Sequence, residues 1–528
     1  MAVAKSLYDY GLEINIIDWY KLPIRNSRYI HKYIDIGNPS EDEMEFSERL
    51  IEIVKKGSYK CILPINDPAM EICHKHEREI NLHTPILNLN PSRVYEFAHD
   101  KRKLLLEAGR HGIEIPESVF IENITDLNLI KPDFEFPCIL KPAFSAKIKN
   151  NKILEFKVRI AESREHLSDL VRELIHSTPL IIQKRVRGTG IGFNLIAYNG
   201  EIINYYLHKR ITEINGVSSY REIINSSTYN LETKIESLLK SIGWTGVAMI
   251  EFKADSNKAV LMEMNGRFWG SLNVGIYSGL NFPVQLYEMI VLNKKINKIS
   301  SLKKLKVRNL HMEAMLYGSK CMQGKFLEFF KWSCSILFNF KRNEIIEDGF
   351  FRDPLHFVEL YFHDLKRLYS KFIQKYSLIT RNKLKIKSSR SLSIAFICHG
   401  NICRSPFAEI YSKKHFPKHR FASFGFVNIE ERLPPLNAVL VAQQMNVDIS
   451  NHLSRCFNVK EKSKYDAFIV MDRINYFHLI KLGVEKSRVY FISDKDIPDP
   501  YGKDTSVFLN TFNQIKQSLD YTFINDKP

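Results

Sequence analysis

Cys398-His399-Gly400-Asn401-Ile402-Cys403-Arg404-Ser405 sets five residues between a cysteine and an arginine and follows them with a hydroxyl. The preceding Leu392-Ser393-Ile394-Ala395-Phe396-Ile397 reads as a buried strand, and Pro406 to Lys414 reads as a helix. A loop from a strand's end to a helix's start aims backbone N–H groups and the positive end of the helix dipole at one spot. That spot suits a phosphate, and it also suits a thiolate. A free thiol titrates near about 8.5, and helix N-termini and nearby cations lower that by several units. Cys398 is then placed to attack phosphorus, while Arg404 offers a planar fork to the phosphate oxygens. By itself the spacing recurs by chance, and a buried packing cysteine is its ordinary outcome.

Further along, Ile497-Pro498-Asp499-Pro500-Tyr501 puts an aspartate on a proline-bounded loop, suited to protonating a leaving oxygen. A positioned general acid contributes about 10²–10⁴-fold. Ala422-Ser423-x-Gly425, His452-x-Ser454-Arg455 and Met471-Asp472 lie between these two stretches. With these landmarks in order, residues 393–525 resemble the low-molecular-weight protein tyrosine phosphatases. The resemblance implies that Cys398 is the nucleophile, forming a phosphocysteine, and that Arg404 binds the phosphoryl group. It implies that Asp499 protonates the leaving phenol and then activates water. Asn401 would brace the loop, and Ser405 would donate to the thiolate. Cys403 matches a second loop cysteine that in this family forms a reversible disulfide with the nucleophile, which implies protection from over-oxidation. Phe424 stands where the family usually has a small residue.

A second group of signals lies between residues 95 and 285. Gly246 to Phe252 reads as a strand, Asp255-Ser256-Asn257-Lys258 as a turn, and Ala259 to Arg267 as the partner strand. Glu263 and Asn265 are two apart and share a face, and Glu251 can converge on them. Carboxylate and amide oxygens suit Mg²⁺ held together with substrate phosphates. Arg267 on that face can neutralise phosphate charge. Three oxygens alone would ordinarily be an edge hairpin with a polar face. Phe136 to Pro142 reads as a buried strand ending at Lys141, and Ala143 to Lys152 with Ile153 to Ile160 as a hairpin with a basic tip. Leu180 to Val186 reads as a strand leading into Gly188-Thr189-Gly190-Ile191-Gly192, and Asp100-Lys101 precedes an amphipathic helix.

These pieces together resemble the ATP-grasp superfamily, in its carbamoyl-phosphate-synthetase-like group of carboxylate–amine ligases. The resemblance implies that Lys101 and Lys141 contact ATP phosphates and that Gln183, Lys184 and Val186 lie on a hinge strand facing adenine. Glu251, Glu263 and Asn265 would hold magnesium, or manganese in its place, and Arg267 would stabilise the transferred phosphoryl group. Relatives often carry an acidic residue for the ribose where this chain has Gly188 to Gly192. Residues 1–90 resemble the α/β lobe that precedes such a fold, with Ala4 to Tyr10 as its first helix and Glu13 to Asp18 as its second strand. The usual opening strand is absent, as a mis-assigned start or a fragment would leave it. The expected fold class is α/β multidomain. A truncated pre-ATP-grasp lobe (1–90) precedes an α+β ATP-grasp domain (91–295), then a helical connector and basic linker (296–390), then a parallel-sheet α/β phosphatase domain (391–528).

The bulk numbers fit this plan. At 528 residues the chain has room for about three domains of the usual size. No secretory leader is visible, and no apolar run reaches the roughly 20 residues needed to span a bilayer. Phe326 to Phe340, interrupted by Lys331, is the nearest and reads as a core or interfacial helix. Eight thinly spread cysteines fit a reducing cytoplasm better than a disulfide framework. Cys73-His74 reads as packing. The net charge of +17 raises the question of nucleic acid or a membrane surface. No nucleic-acid module with interleaved aromatics is evident. Part of the charge lies in Leu365 to Ser391, rich in Lys and Arg without Asp or Glu, which reads as a solvated linker or as a contact for an anionic surface.

The expectation is therefore a bifunctional cytoplasmic enzyme, an ATP-dependent ligase joined to a tyrosine phosphatase. Its partners would be a phosphotyrosine protein, by resemblance a bacterial tyrosine kinase of surface polysaccharide production, and a small carboxylate and amine. Arg210 and Arg221 are candidates for gripping an acidic substrate, with surface solvation the alternative for each. The competing expectation is a phosphatase regulated by a non-catalytic, nucleotide-sensing ATP-grasp module.

Overall fold

The computed structural model describes residues 1–524 apart from 215–216, 226–228, 256–257, 323, 339–343, 348–352, 377–380, 383 and 385–389. The turn at Ser256-Asn257 and the linker lysines Lys383, Lys385 and Lys387 lie outside the described residues. Two compact units are present. The first comprises Met1–Ser118, Ala143–Lys157 and Lys184–His363, and the second Val119–Pro142, Val158–Gln183 and Asp364–Pro528.

The first unit is built on a seven-stranded sheet in the order Ala259–Asn265, Gly246–Ala254, Thr189–Tyr198, Glu201–Ile214, Val217–Ile224, Lys306–Arg308, Glu344–Ile346. The first five neighbouring pairs are antiparallel and the last is parallel. The glycines at 190 and 192 fall inside Thr189–Tyr198 rather than in a loop. A Cβ on Gly190 would come within 2.8 Å of Arg210 Cδ, and one on Gly192 within 2.4 Å of His208 Cε1. They make room for cross-strand side chains. One core of this unit gathers Trp269, Phe282, Leu286, Tyr206 and Val307. A parallel pair, Asn15–Ile17 with Lys32–Ile34, packs with the helix Glu43–Lys56 in a second core around Phe46, Leu50 and Ile72.

Three sequence expectations are corrected in detail. The strand expected over Ile153 to Ile160 is two strands. Ala146–Lys149 and Lys152–Glu155 form a tight hairpin turned by Asn150 and Asn151, both at positive φ, while Arg159–Ala161 is a separate strand in the second unit. The strand Leu180–Gln183 stops before Lys184. The connector is not purely helical. Beside the helices Leu310–Met322, Phe326–Phe338 and Pro354–Tyr376 it supplies two short strands to the large sheet. Three-residue strands are too short for period-two patterning to register.

The second unit holds a four-stranded parallel sheet in the order Arg420–Phe424, Ser393–Ile397, Ala467–Val470, Val489–Phe491. Both faces are covered, as parallel sheets require. Ile394 and Phe396 pack with Phe407, Tyr411 and Phe512 on one side, while Ala395 and Ile397 pack with Phe424, Phe468 and Leu479 on the other. The order reverses at Ser393–Ile397, so the carboxyl end of that strand is the topological switch point where such sheets bind ligands. The unit also contains a smaller sheet with Leu180–Gln183 between Ser118–Ile121 and Cys138–Pro142, and Arg159–Ala161 outside the latter. Among the described residues no helix is long and apolar enough to cross a membrane.

Candidate active site

The strand Ser393–Ile397 delivers Cys398 to the switch point, and the helix Arg404–His415 begins at the arginine. Between them the loop turns on Asn401, a left-handed residue at φ 54° with no exposed surface. Asparagine tolerates that conformation because its short polar side chain bonds locally. Its amide nitrogen donates to Ser405 Oγ at 3.0 Å and Ser423 Oγ at 2.8 Å, and its Oδ1 accepts from Arg455 N at 2.8 Å. Its backbone N–H points at Cys398 Sγ, 3.2 Å away. Ser405 Oγ lies 3.0 Å from the same sulfur. A thiolate there would have two donors, with the helix dipole behind them.

Arg404 is 2% exposed, and three oxygens hold its guanidinium. Nη1 donates to Asp472 Oδ2 and to the Ile497 carbonyl, both at 2.8 Å, and Nη2 lies 2.9 Å from Asp499 Oδ2. Asp472 anchors one edge of the fork, while Asp499 is 46% exposed and sits where it can face a substrate. Cys403 is buried, and burial followed by the charge of Asp499 pushes its thiol well above the ordinary range. Gly425 is required by close approach: a Cβ there would stand 2.8 Å from His399 O and 2.9 Å from Asn401 N. Phe424, the odd residue beside it, is a core side chain packed edge-on to Phe457 and Tyr465. The cavity over Cys398 has a volume of about 330 Å³.

A Klebsiella pneumoniae protein assigned to the low-molecular-weight protein-tyrosine-phosphatases is 30% identical over 131 residues, which is 24% of this chain and 91% of its own length. The chain belongs to the low-molecular-weight protein-tyrosine-phosphatase family. The family profile described as low molecular weight phosphotyrosine protein phosphatase matches residues 393–524. The phosphatase Wzb of Salmonella typhi is 28% identical over 130 residues, 24% of this chain and 87% of its own. Over 58% of this chain and 71% of the other, a biotin carboxylase from Campylobacter jejuni solved with an ATP ligand is similar at 14% identity and a TM-score of 0.46.

In the first unit, Glu251 and Glu263 are direct cross-strand partners, and Met249 pairs with Asn265. Asn265 donates Nδ2 to Glu251 Oε1 at 3.3 Å. Burial first and the neighbouring Glu263 second hold the Glu251 carboxyl well above the usual carboxylate range, against the pull of Arg210. The two crowded carboxylates could hold a divalent cation, which would relieve that repulsion, once Arg210 and the Asn265 amide nitrogen give way to it. Arg210 lies 2.5 Å from Glu251 Oε2, and Arg221 makes a two-pronged pair with Glu347 at 2.9 and 3.1 Å. Their side chains are 11% and 1% exposed, so neither is the solvated surface residue the sequence allowed for.

Arg267 is gripped on both prongs by Asp67, at 2.8 and 2.9 Å. Asp67 had no sequence signal beyond its place after the helix cap Asn66. Lys101 is buried at the start of the helix Lys101–Arg110, which Asp100 caps, and donates to Ser145 at 2.8 Å. In the second unit Lys141 and Gln183 are buried on adjacent antiparallel strands, Cys138–Pro142 and Leu180–Gln183. Lys184 and Val186 follow in the first unit, where Lys184 N bonds the Glu117 carbonyl at 3.1 Å.

Proposed function

We propose that the protein carries two activities: phosphotyrosine hydrolysis through a phosphocysteine, and ATP- and magnesium-dependent joining of a carboxylate to an amine through an acyl-phosphate. The convergence of Cys398, Ser405, Arg404 and Asp499 at one strand end carries the first reading. Cys398 attacks phosphorus as a thiolate, Arg404 braces the phosphoryl oxygens, and Asp499 gives its proton to the departing phenol oxygen. Asp499 then takes a proton from water, which breaks the S–P bond and frees phosphate and thiolate. Arg404 lies between two carboxylates, so its fork is already oriented when substrate arrives.

The ligase reading rests on the crowded pair Glu251 and Glu263 with Asn265 and Arg267. Magnesium held by the first three residues would neutralise charge on the ATP phosphates. Arg267 would brace the phosphoryl group as the carboxylate attacks, and Lys101, Lys184 and Val186 of the same unit would contact the nucleotide. The free cysteines support a reducing, cytoplasmic setting. Family resemblance supports a tyrosine kinase of surface polysaccharide production as the protein partner. A reciprocal test separates the sites. Cys398→Ser should lose aryl-phosphate hydrolysis and keep ADP release from MgATP in the presence of pooled carboxylates and amines, and Glu263→Gln should do the reverse. Loss of both activities in either variant would contradict two independent sites. A second reading, nucleotide sensing without ligation, draws on the commitment of Arg267 to Asp67. It expects no ADP with any pool and a phosphatase rate that changes with ATP.

A further inference from the structure

The phosphatase site contains a carboxylate from far upstream in the chain. Arg159–Ala161 and the helix Arg164–Leu174 belong to the same compact unit as Asp364–Pro528. The cavity over Cys398 is lined by Asp499 and Tyr501 and also by Ile160, Leu170 and Glu173. On the buried face of the helix, Asp169 and Glu173 stand one turn apart. Asp169 accepts the Leu436 N–H at 2.8 Å, at the start of the helix Leu436–Gln444. The main connection runs through Glu173.

Glu173 Oε1 lies 3.0 Å from Arg432 Nη1, and the two side chains are 7% and 3% exposed. Arg432 carries the connection onward: Nη2 donates to the carbonyl of Gly400, inside the nucleophile loop, and Nε donates to Ile429 O at 2.9 Å. The other oxygen of Glu173 accepts the hydroxyl of Tyr501, two residues past Asp499. Burial first and then Glu173 hold the Tyr501 phenol far above its ordinary pKa, so it remains a donor. One carboxylate therefore ties the loop that carries the nucleophile to the loop that carries the acid.

We propose that Glu173 is a positioning residue of the phosphatase reaction, setting the nucleophile loop through Arg432 and the acid loop through Tyr501. The proposal rests on the phosphatase reading above. Glutamine at 173 keeps the shape and an acceptor for Tyr501 but leaves the buried Arg432 without its counter-charge, a costly state that the surroundings relieve by moving. Arg432 is bonded to Gly400, so the phosphate cradle moves with it. Tyr501 bonded to a weaker acceptor loosens the acid loop, which matters most when the leaving oxygen needs a proton.

The test uses the full-length protein and its Glu173→Gln variant. Steady-state kinetics are measured with p-nitrophenyl phosphate and with phenyl phosphate, a poorer leaving group. Active sites are counted as the fraction of Cys398 alkylated by iodoacetate and protected by inorganic phosphate. With the full count retained, KM should rise about tenfold for both substrates, the scale of one charged hydrogen bond. At the same time kcat should fall further for phenyl phosphate than for p-nitrophenyl phosphate. Adding Arg432→Gln should not raise KM again, because both changes break one connection. Unchanged kinetics, faster turnover, an equal kcat loss for both substrates without a KM change, or a loss matched by fewer active sites would each overturn the role of Glu173. Failure of the wild-type chain on both substrates would instead overturn the phosphatase reading itself.

Discussion

Asn401→Ala and Asn401→Gly together separate two of the things Asn401 does. Alanine at φ 54° pays the left-handed penalty of about 1–2 kcal/mol, which asparagine largely avoids. It also leaves the Arg455 N–H without the acceptor that lies at 2.8 Å, at a further cost of about 1–3 kcal/mol where the group stays dry. The sum is about 3 kcal/mol against the local fold of the loop. Asn401→Gly removes the first part and keeps the second, so it should cost about 1 kcal/mol less than alanine. In both variants the N–H aimed at Cys398 loses its fixed direction, and kcat on an aryl phosphate should drop at least about tenfold. All four tryptophans lie at or before residue 332, so none lies within residues 393–524. Hydrogen exchange on peptides from that stretch is the suitable measurement. Protection should fall in the order Asn, Gly, Ala, first in the peptide holding residues 398–405. Equal protection and equal kcat in all three proteins would refute the account of how this loop is held.

Gly425→Ala should push the loop backbone at residues 399–401, where its Cβ would stand under 3.0 Å from three backbone atoms. Displacing a catalytic loop by about 1 Å costs roughly 10²-fold in rate, to be read as kcat/KM on an aryl phosphate. Glu43, whose side chain is 0% exposed, accepts from Lys75, Ser47 and His76. Burial alone would raise its pKa, but these donors outweigh it and bring the carboxyl below its ordinary 4.5. Its stabilisation is thus present above about pH 4.5 and lost as pH falls through the lower folded value. Glu43→Gln should lower stability at neutral pH by about 2 kcal/mol and flatten the acid side of the profile. Trp19, stacked edge-on to Phe46 5.3 Å away in the same core, provides the fluorescence signal.

The phosphatase domain was legible because its information is local. Strand, loop and helix are contiguous, and the convergence of Cys398, Asn401, Arg404 and Ser405 follows from eight consecutive residues. Asp499 was legible from its proline-bounded loop, and Met471-Asp472 as a landmark, although not as the anchor of Arg404. The hairpin carrying Glu251, Glu263 and Asn265 was legible from two-residue spacing across antiparallel strands. What escaped was long-range pairing. Asp67 on Arg267, Glu347 on Arg221 and Glu173 on Arg432 join residues 200, 126 and 259 positions apart, and no local pattern encodes them. The glycine string from Gly188 to Gly192 gave no clear signal by itself, and cross-strand crowding by Arg210 and His208 explains Gly190 and Gly192.

If hydrolysis runs through a phosphocysteine as proposed, Cys398 is phosphorylated during turnover and Asp499 governs the formation and release of that intermediate. Asp499→Asn, mixed with an aryl phosphate of low leaving-group pKa and quenched in acid, should yield intact protein with the mass of one added phosphoryl group. Peptide mapping should place that group on Cys398. The same treatment of Asp499→Asn/Cys398→Ser should yield none. Hydrolysis that persists in Cys398→Ser, or a phosphoryl group mapped to any residue other than Cys398, would contradict the account.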